Sequence, residues 1–409
     1  MTCRFCGATL SRVACDLGCQ PLANALVPMD APAHPDPRYP LCVMVCDSCL
    51  LLQLAEIVDP AALFLDYSYV SAVSSVWRAH VEAFAVMAQA RFALTPESLV
   101  IEVGSNDGSL LRSFLRCGVR CLGIDPAANI AAVARDSGIP TMTAFFGAEI
   151  ARNLAAEGER ADLLVANNVL AHAPALTDFV QGLATLLAPT GVLSIEVPHV
   201  LTMLRDGQFD TIYHEHVFYF SARTLQRILR SAGLEVFDVQ TLPTHGGSLR
   251  ILAQHATTGR YPSTTALKNI LVAEEDAGLS DPQRYTSLAE AAARVTCDLR
   301  RFLTRAQAEG SCVAAYGAAA KGTMLLNCAD VSAEQIDCIA DASPLKQGQR
   351  IPGCRLPIVP PDHLRHLRPD YLLILPWNIA DEIMAATAFI GEWGGRFVIP
   401  SPTLRVVPA

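Results

Sequence analysis

Lysine is almost absent from this chain: Lys268, Lys321 and Lys346 are its only three. The 31 basic residues, nearly all arginine, face 40 acidic ones, for a net charge of −9. A sequence-independent grip on nucleic acid needs a basic surface that displaces counterions, so no nucleic-acid partner is expected. Scarce lysine beside abundant Arg and Ala reads as a coding bias. Long apolar runs are missing too. Hydrophobic residues make up 51% and mean hydropathy is +0.30. Yet the richest stretches, 41–54 and 371–376, are short or broken by Cys, Asp and Gln. A spanning helix needs roughly 18–20 uninterrupted apolar residues, so no membrane span is expected. Met1-Thr-Cys-Arg-Phe-Cys6 has no apolar stretch of the kind that opens a secretory signal. A soluble, cytoplasmic protein is expected. There is no tandem repeat or low-complexity segment, and 17% charged residues fit a folded globular chain rather than a disordered one. With 409 residues, two or three domains can each bury a core.

Cysteine is abundant by contrast. Seven of the 14 lie within the first 49 residues. In a reducing compartment such clustering points to metal more often than to disulfides. Cys3-x-x-Cys6 and Cys46-x-x-Cys49 form two CxxC knuckles, and each spacing lets two thiolates reach one Zn²⁺ at about 2.3 Å. Four thiolates leave no open position, so the zinc is expected to be structural. The intervening 39 residues require a substantial inserted loop. Cys15, Cys19 and Cys42 are left over, and Cys42 is a candidate to replace one ligand; the bland alternative is scattered buried thiols.

Three blocks follow along the chain. Residues 1 to about 60 carry the cysteines and several prolines. From about 75 to 255, candidate strands at 99–103, 119–124, 162–166 and 191–197 alternate with helical patterns, as in a parallel sheet covered by helices. Residues 263–308 read as helix and connector, broken near 278–282. A second alternating series then begins, with strands at 312–316, 336–340, 371–375 and 397–399 and a helix from Ala318.

Chemistry concentrates in three segments. Glu102-Val-Gly104-Ser-Asn106-Asp-Gly108 is a strand running into a Gly-containing turn, which lets backbone approach a ligand at the carboxyl edge of a sheet. Asp125 ends the next strand, where an acidic residue accepts from ribose hydroxyls. A dinucleotide fold would give the same reading. Glu102 tilts it, because E-x-G-x-N-x-G resembles motif I of class I methyltransferases, with Asn106 where many members have Gly. Asn168 and His172 follow the third strand in a region that resembles motif IV; simple loop capping is the alternative. Asp210-Thr-Ile-Tyr213-His-Glu215-His216-Val-Phe-Tyr-Phe-Ser221 packs His, Glu and Tyr between apolar anchors. HEH spacing does not match the i, i+4 pairing of a zincin helix, whereas a near-neutral His suits general acid–base work. A satisfied core cluster is the rival reading.

These motifs occur in order with 65–71 (Leu-Asp-Tyr-Ser-Tyr-Val-Ser), His245-Gly-Gly-Ser-Leu-Arg250 and Tyr316-Gly-Ala-Ala-Ala-Lys-Gly322. Together they resemble the sugar C-methyltransferase family typified by the dTDP-3-amino-4-keto-deoxysugar C-3′-methyltransferases of antibiotic biosynthesis. The resemblance spans essentially the whole chain. It implies an α/β enzyme with a zinc-binding domain (1–74), a Rossmann-like class I domain for S-adenosylmethionine (75–260) and a Rossmann-like C-terminal domain with connecting helices (261–409). It implies a dTDP-4-keto-deoxyhexose substrate. His216 matches the family's base and Glu215 would orient it. Tyr213 and Tyr67 would line the sugar and hydrogen-bond the enolate, with His172 close by. Glu102, Gly104, Asn106, Gly108, Asp125 and Asn168 would bind the methyl donor, and Lys321 the pyrophosphate. A monomer is expected. Rivals are methylation at C-5, O or N of a related sugar and, from another class, a zinc-containing scaffold without turnover.

Overall fold

The computed structural model describes residues 1–32, 34–65 and 75–409. The first block is an antiparallel sheet of β1 (Arg12–Pro21), β3 (Arg38–Val45) and β4 (Leu52–Leu54), with the short β2 (Val27–Pro28) beside it. In β3 burial alternates towards the strand's end, where Leu41, Val43 and Val45 face inward, as a sheet with one packed face requires.

The central sheet contains β5 (Leu99–Val103), β6 (Arg120–Asp125), β7 (Thr141–Thr143), β8 (Ala161–Asn167) and β9 (Leu187–Pro198), all parallel. β5 is buried along its whole length, which explains why it is apolar at every position but Glu102; helices cover both faces. β10 (Phe218–Tyr219) leaves this domain and pairs with β4 of the first sheet. β11 (Leu234–Leu242) and β12 (Ser248–His255) return antiparallel, giving the order β11-β12-β9-β8-β5-β6-β7. The reversed strand next to β9 completes a class I methyltransferase sheet.

The C-terminal sheet runs β16-β14-β13-β17-β18-β19, built from β13 (Val313–Tyr316), β14 (Ile339–Ala340), β15 (Gln349–Arg350, which pairs instead with β2), β16 (Ile358–Val359), β17 (Tyr371–Ile374), β18 (Arg396–Ile399) and β19 (Arg405–Pro408). Its first strands are parallel and the last is antiparallel. The connector forms two helices, Thr265–Asp276 and Ser287–Ala308, separated at the expected break.

The three blocks do not each bury a separate core. One cluster joins Leu41 and Val43 of the first sheet, Phe209 and Tyr219 of the stretch around His216, Leu299 of the long helix and Met324 of the last domain. Another joins the knuckle residues Cys46 and Leu51 to Ile101 and Phe218. The first block is too small to bury its strands alone and uses both neighbours. Among the described residues, no helix is long and apolar enough to cross a membrane.

Candidate active site

Cys3, Cys6, Cys46 and Cys49 bring their sulfurs within 4.8 Å of one another, with Cys3–Cys49 and Cys6–Cys46 both at 3.6 Å. Ligands at about 2.3 Å around a tetrahedral Zn²⁺ are separated by about 3.8 Å, so the donor set fits that ion. Cys15, Cys19 and Cys42 stay outside the cluster: Cys42 lies opposite Asp16 in the β1–β3 ladder and replaces no ligand.

The turn after β5 alternates left-handed residues: Gly104 (φ 70°), Asn106 (φ 49°) and Gly108 (φ 72°). A Cβ on Gly104 would come within 2.9 Å of Val169, so glycine is required there twice over, by space and by backbone. Asn106 adopts a glycine-like left-handed conformation, which Asn tolerates better than most residues. The Asn106 and Ala127 amides donate to the two oxygens of Asp125, at 2.8 and 2.9 Å. Burial raises the carboxyl pKa of Asp125, partly opposed by those amides. It pushes Glu102 far above the carboxylate range, helped by Asp107 and Asp125. Asn168 is also left-handed (φ 52°).

Around His216 the chain makes a tight turn. A backbone carbonyl can only accept, so the 2.9 Å contact between His216 Nδ1 and Thr211 O places the proton on Nδ1. Nε2 therefore keeps its lone pair and accepts from the Tyr213 hydroxyl at 2.7 Å. Burial, then the neighbouring His172, holds the His216 pKa well below the usual value, so the ring is neutral at pH 7. His172 packs edge-on at 5.0 Å and is itself pushed down to about 4 by burial. Glu215 does not orient His216: among the described residues both ring nitrogens are engaged by Thr211 and Tyr213. Its carboxylate instead accepts from Asn24 of the first block at 2.6 Å. Tyr67 lies outside the described residues.

A cavity of about 1000 Å³ connects these parts. Glu102, Gly104, Asn106, Asp125 and Asn168 line one end of it, His172, Tyr213 and His216 the middle, and Lys321 another wall. Gly108 caps the following helix and is not in the lining. Lys321 donates to the His245 carbonyl at 2.9 Å and stands 5.0 Å over the Trp377 ring. Burial lowers its pKa, opposed by Asp210.

Three family comparisons match along the chain: a zinc binding domain over residues 3–64, a methyltransferase domain over 77–239, and the C-methyltransferase C-terminal domain over 243–402. The chain is 36% identical to C-methyltransferase NovU of Streptomyces niveus over 407 residues, covering all of this chain and 97% of that protein. The chain belongs to this C-methyltransferase family. A ubiquinone biosynthesis O-methyltransferase of Methylobacterium sp. is 26% identical over 42% of this chain and 76% of its own length. The magnesium protoporphyrin IX methyltransferase of Synechocystis PCC 6803, solved with bound SAM, overlaps at TM-score 0.34 and 18% identity, over 43% of this chain and 78% of its own.

As a member of the C-methyltransferase family, the protein uses S-adenosylmethionine, and its tetrathiolate site holds a structural zinc. The donor end fits that ligand: Glu102 Oε2, Asn168 Oδ1 and the Asn167 amide are buried polar atoms with no hydrogen-bond partner among the described residues. The C-terminal family match begins at 243, ahead of β12, which hydrogen-bonds into the methyltransferase sheet. Sequence reasoning missed Thr211, Asn24, His245 and Lys346, all of which line the cavity. Thr211 acts through its carbonyl, which carries no residue-type signal. His245 opens the His245-Gly-Gly-Ser-Leu-Arg250 motif, whose residue types alone give it no role.

Proposed function

We propose that this C-methyltransferase acts at C-3 of a dTDP-4-keto-deoxyhexose, with His216 as the base. The observation that carries this reading is the His216 ring: neutral, with its proton held on Nδ1 by Thr211 and its Nε2 lone pair facing Tyr213. A C–H beside a ketone is acidic enough for a neutral imidazole placed within reach of it. The C-3 proton goes to Nε2, the C–H electron pair moves into the C-3–C-4 bond, and charge builds on the ketone oxygen. Once Nε2 takes that proton it no longer accepts from Tyr213, whose hydroxyl then turns to donate to the enolate oxygen. C-3 would then form the new carbon–carbon bond as the methyl–sulfur bond of the donor breaks, the electron pair staying on sulfur as a neutral thioether. Bound S-adenosylmethionine supplies the electrophilic methyl group. His172, neutral beside His216, adds no competing charge. Tyr67 is assigned to the sugar and Lys321 to the diphosphate by the family resemblance, and cavity lining by Lys321 supports the latter. The same reading divides the chain at 74/75 and 260/261.

The test uses purified protein, S-adenosylmethionine and a freshly made dTDP-4-keto-2,6-dideoxyhexose in deuterated buffer, with and without a 3-amino group. A methyl gain that His216→Ala abolishes is the expected mass change. Deuterium uptake without methylation would keep the base and reject the sugar. Neither change, with methyl-donor binding intact, would overturn the substrate assignment.

A further inference from the structure

The loop 243–247 contains a residue whose backbone is strained and whose side chain is unused. His245 sits at φ 55° and ψ 20°, a left-handed conformation that costs a non-glycine residue on the order of 1–2 kcal/mol and persists only where surroundings enforce it. The enforcement is visible. Lys321 Nζ holds the His245 carbonyl, Gln208 holds that of Gly246 at 2.7 Å, and Thr244 Oγ1 donates to buried Glu196 at 2.8 Å. Gly247 (φ 120°) has no room for a side chain, since a Cβ would lie 2.5 Å from Thr202. Three elements thus clamp one loop. The imidazole they present packs against Trp77 at 5.4 Å and lines the cavity. Neither of its ring nitrogens has a hydrogen-bond partner among the described residues, and the reading of His216 as base makes no use of it.

We propose that His245 binds the diphosphate of the nucleotide-linked substrate, donating a ring N–H to a phosphate oxygen beside the Lys321 ammonium. Among the described residues lining the cavity, Lys321 and Lys346 are the only lysines or arginines, and Lys346 already pairs with Asp341 at 3.6 Å. Both come from the C-terminal domain, so an anionic group is drawn to this wall rather than to the end lined by Glu102 and Asp125. Hydrogen bonding between the Lys321 ammonium and the carbonyl of His245 itself puts the charge and the imidazole side by side. A neutral imidazole adds a directed donor, which a point charge lacks. This assignment rests on the substrate being a nucleoside diphosphate conjugate.

Titration calorimetry of dTDP and of thymidine into the zinc-loaded wild type, His245→Gly and His245→Asn tests it. Glycine removes the ring and at the same time relieves the left-handed strain, so the thermal midpoint of His245→Gly is expected to hold or rise. Its dTDP affinity is expected to fall about tenfold or more, as for loss of a hydrogen bond to a charged group. Thymidine and S-adenosylmethionine affinities stay within about twofold of wild type by the same arithmetic. His245→Asn, which tolerates the backbone and keeps an N–H donor, recovers part of the dTDP affinity. Unchanged dTDP binding in His245→Gly, or an equal loss for S-adenosylmethionine, would overturn the role of His245 and leave the substrate reading intact. A wild type that binds S-adenosylmethionine but not dTDP would overturn both.

Discussion

The buried pair between Arg250 and Glu196 anchors the loop that carries His245, and breaking it has a calculable cost. Glu196 is 0% exposed and Arg250 4%. The Arg250 guanidinium donates to Glu196 Oε2 at 2.8 Å and lies 4.2 Å over the Phe84 ring. His80 reaches the same oxygen at 2.8 Å and Thr244 the other. Burial alone would raise the Glu196 pKa, but His80, Arg250 and Thr244 together hold it below the usual carboxylate value. Arg250→Met keeps the apolar stem against Phe84 and removes the charge. The carboxylate left behind is buried and undercompensated, which costs about 3–5 kcal/mol. At roughly 2–4 °C per kcal/mol for a domain of this size, the thermal midpoint should drop by roughly 6–20 °C. A folded pKa that is depressed confers stability above the ordinary Glu value and loses it as pH falls through the folded one. The penalty of Arg250→Met should therefore shrink towards acid pH. Chemical denaturation of Arg250→Met, Glu196→Gln and the double variant checks this, with a coupling of at least about 1.5 kcal/mol expected. Additive single effects, or a loss in Arg250→Met below about 1 kcal/mol, would refute the reasoning.

Gly104→Ala forces a Cβ to 2.9 Å from Val169 at φ 70°, so calorimetry should show S-adenosylmethionine affinity reduced about tenfold or more. Asn106→Gly, already in a glycine-like conformation, should bind the donor as wild type does. Cys46→Ser should release the metal and destabilise the protein by more than about 5 kcal/mol, given typical structural zinc affinities; full zinc occupancy by metal analysis with unchanged stability would contradict the tetrathiolate. Burial pushes His172 and His245 down to about 4, while unfolded histidine titrates near 6.5. The unfolded chain thus binds more protons between these values, and the stability of the native state, complete above pH 6.5, should decline down to about pH 4. His172→Gln should flatten that slope. Because His216 is also depressed, the acid limb of kcat/KM should lie below pH 6.5.

The parts of the fold that read clearly from sequence are those with a one-dimensional signal. Leu99–Val103 is a fully buried parallel strand, apolar at every position but Glu102, and that pattern gives both its limits. The two CxxC knuckles converge as their spacing requires. Short strands are harder: Thr141–Thr143 is half-exposed with no apolar pattern, and Phe218–Tyr219 is a strand only because β4 of another block receives it. The site shows the same division. Residue types announced His216 and Tyr213, but Glu215 beside His216 in sequence points elsewhere in space, because adjacent residues in a tight turn face different neighbours. The true partner of the His216 Nδ1 proton is a backbone carbonyl five residues upstream, a donor–acceptor relation written in dihedral angles rather than in side chains.

That turn is held from every side. Upstream, Asp210 accepts from Trp377 of the C-terminal domain at 2.6 Å. Within it, His214 contacts the Tyr39 carbonyl at 3.2 Å and Glu215 meets Asn24, both residues of the zinc-bearing block. Downstream, Val217 donates to Ala171 beside His172, and its carbonyl accepts from Leu54 at 2.9 Å, one residue before the chain enters the β4 ladder. A base must be held within a fraction of an ångström of its proton. A surface turn of a single domain has too few neighbours to do this, whereas here three domains share the task. The zinc, although remote from any chemistry, fixes Cys46 and Cys49, the hairpin that leads into β4, and through β4 the strand that follows His216. On this geometry the metal is structural by ligand set, yet its mechanical output is the position of His216, the base proposed above.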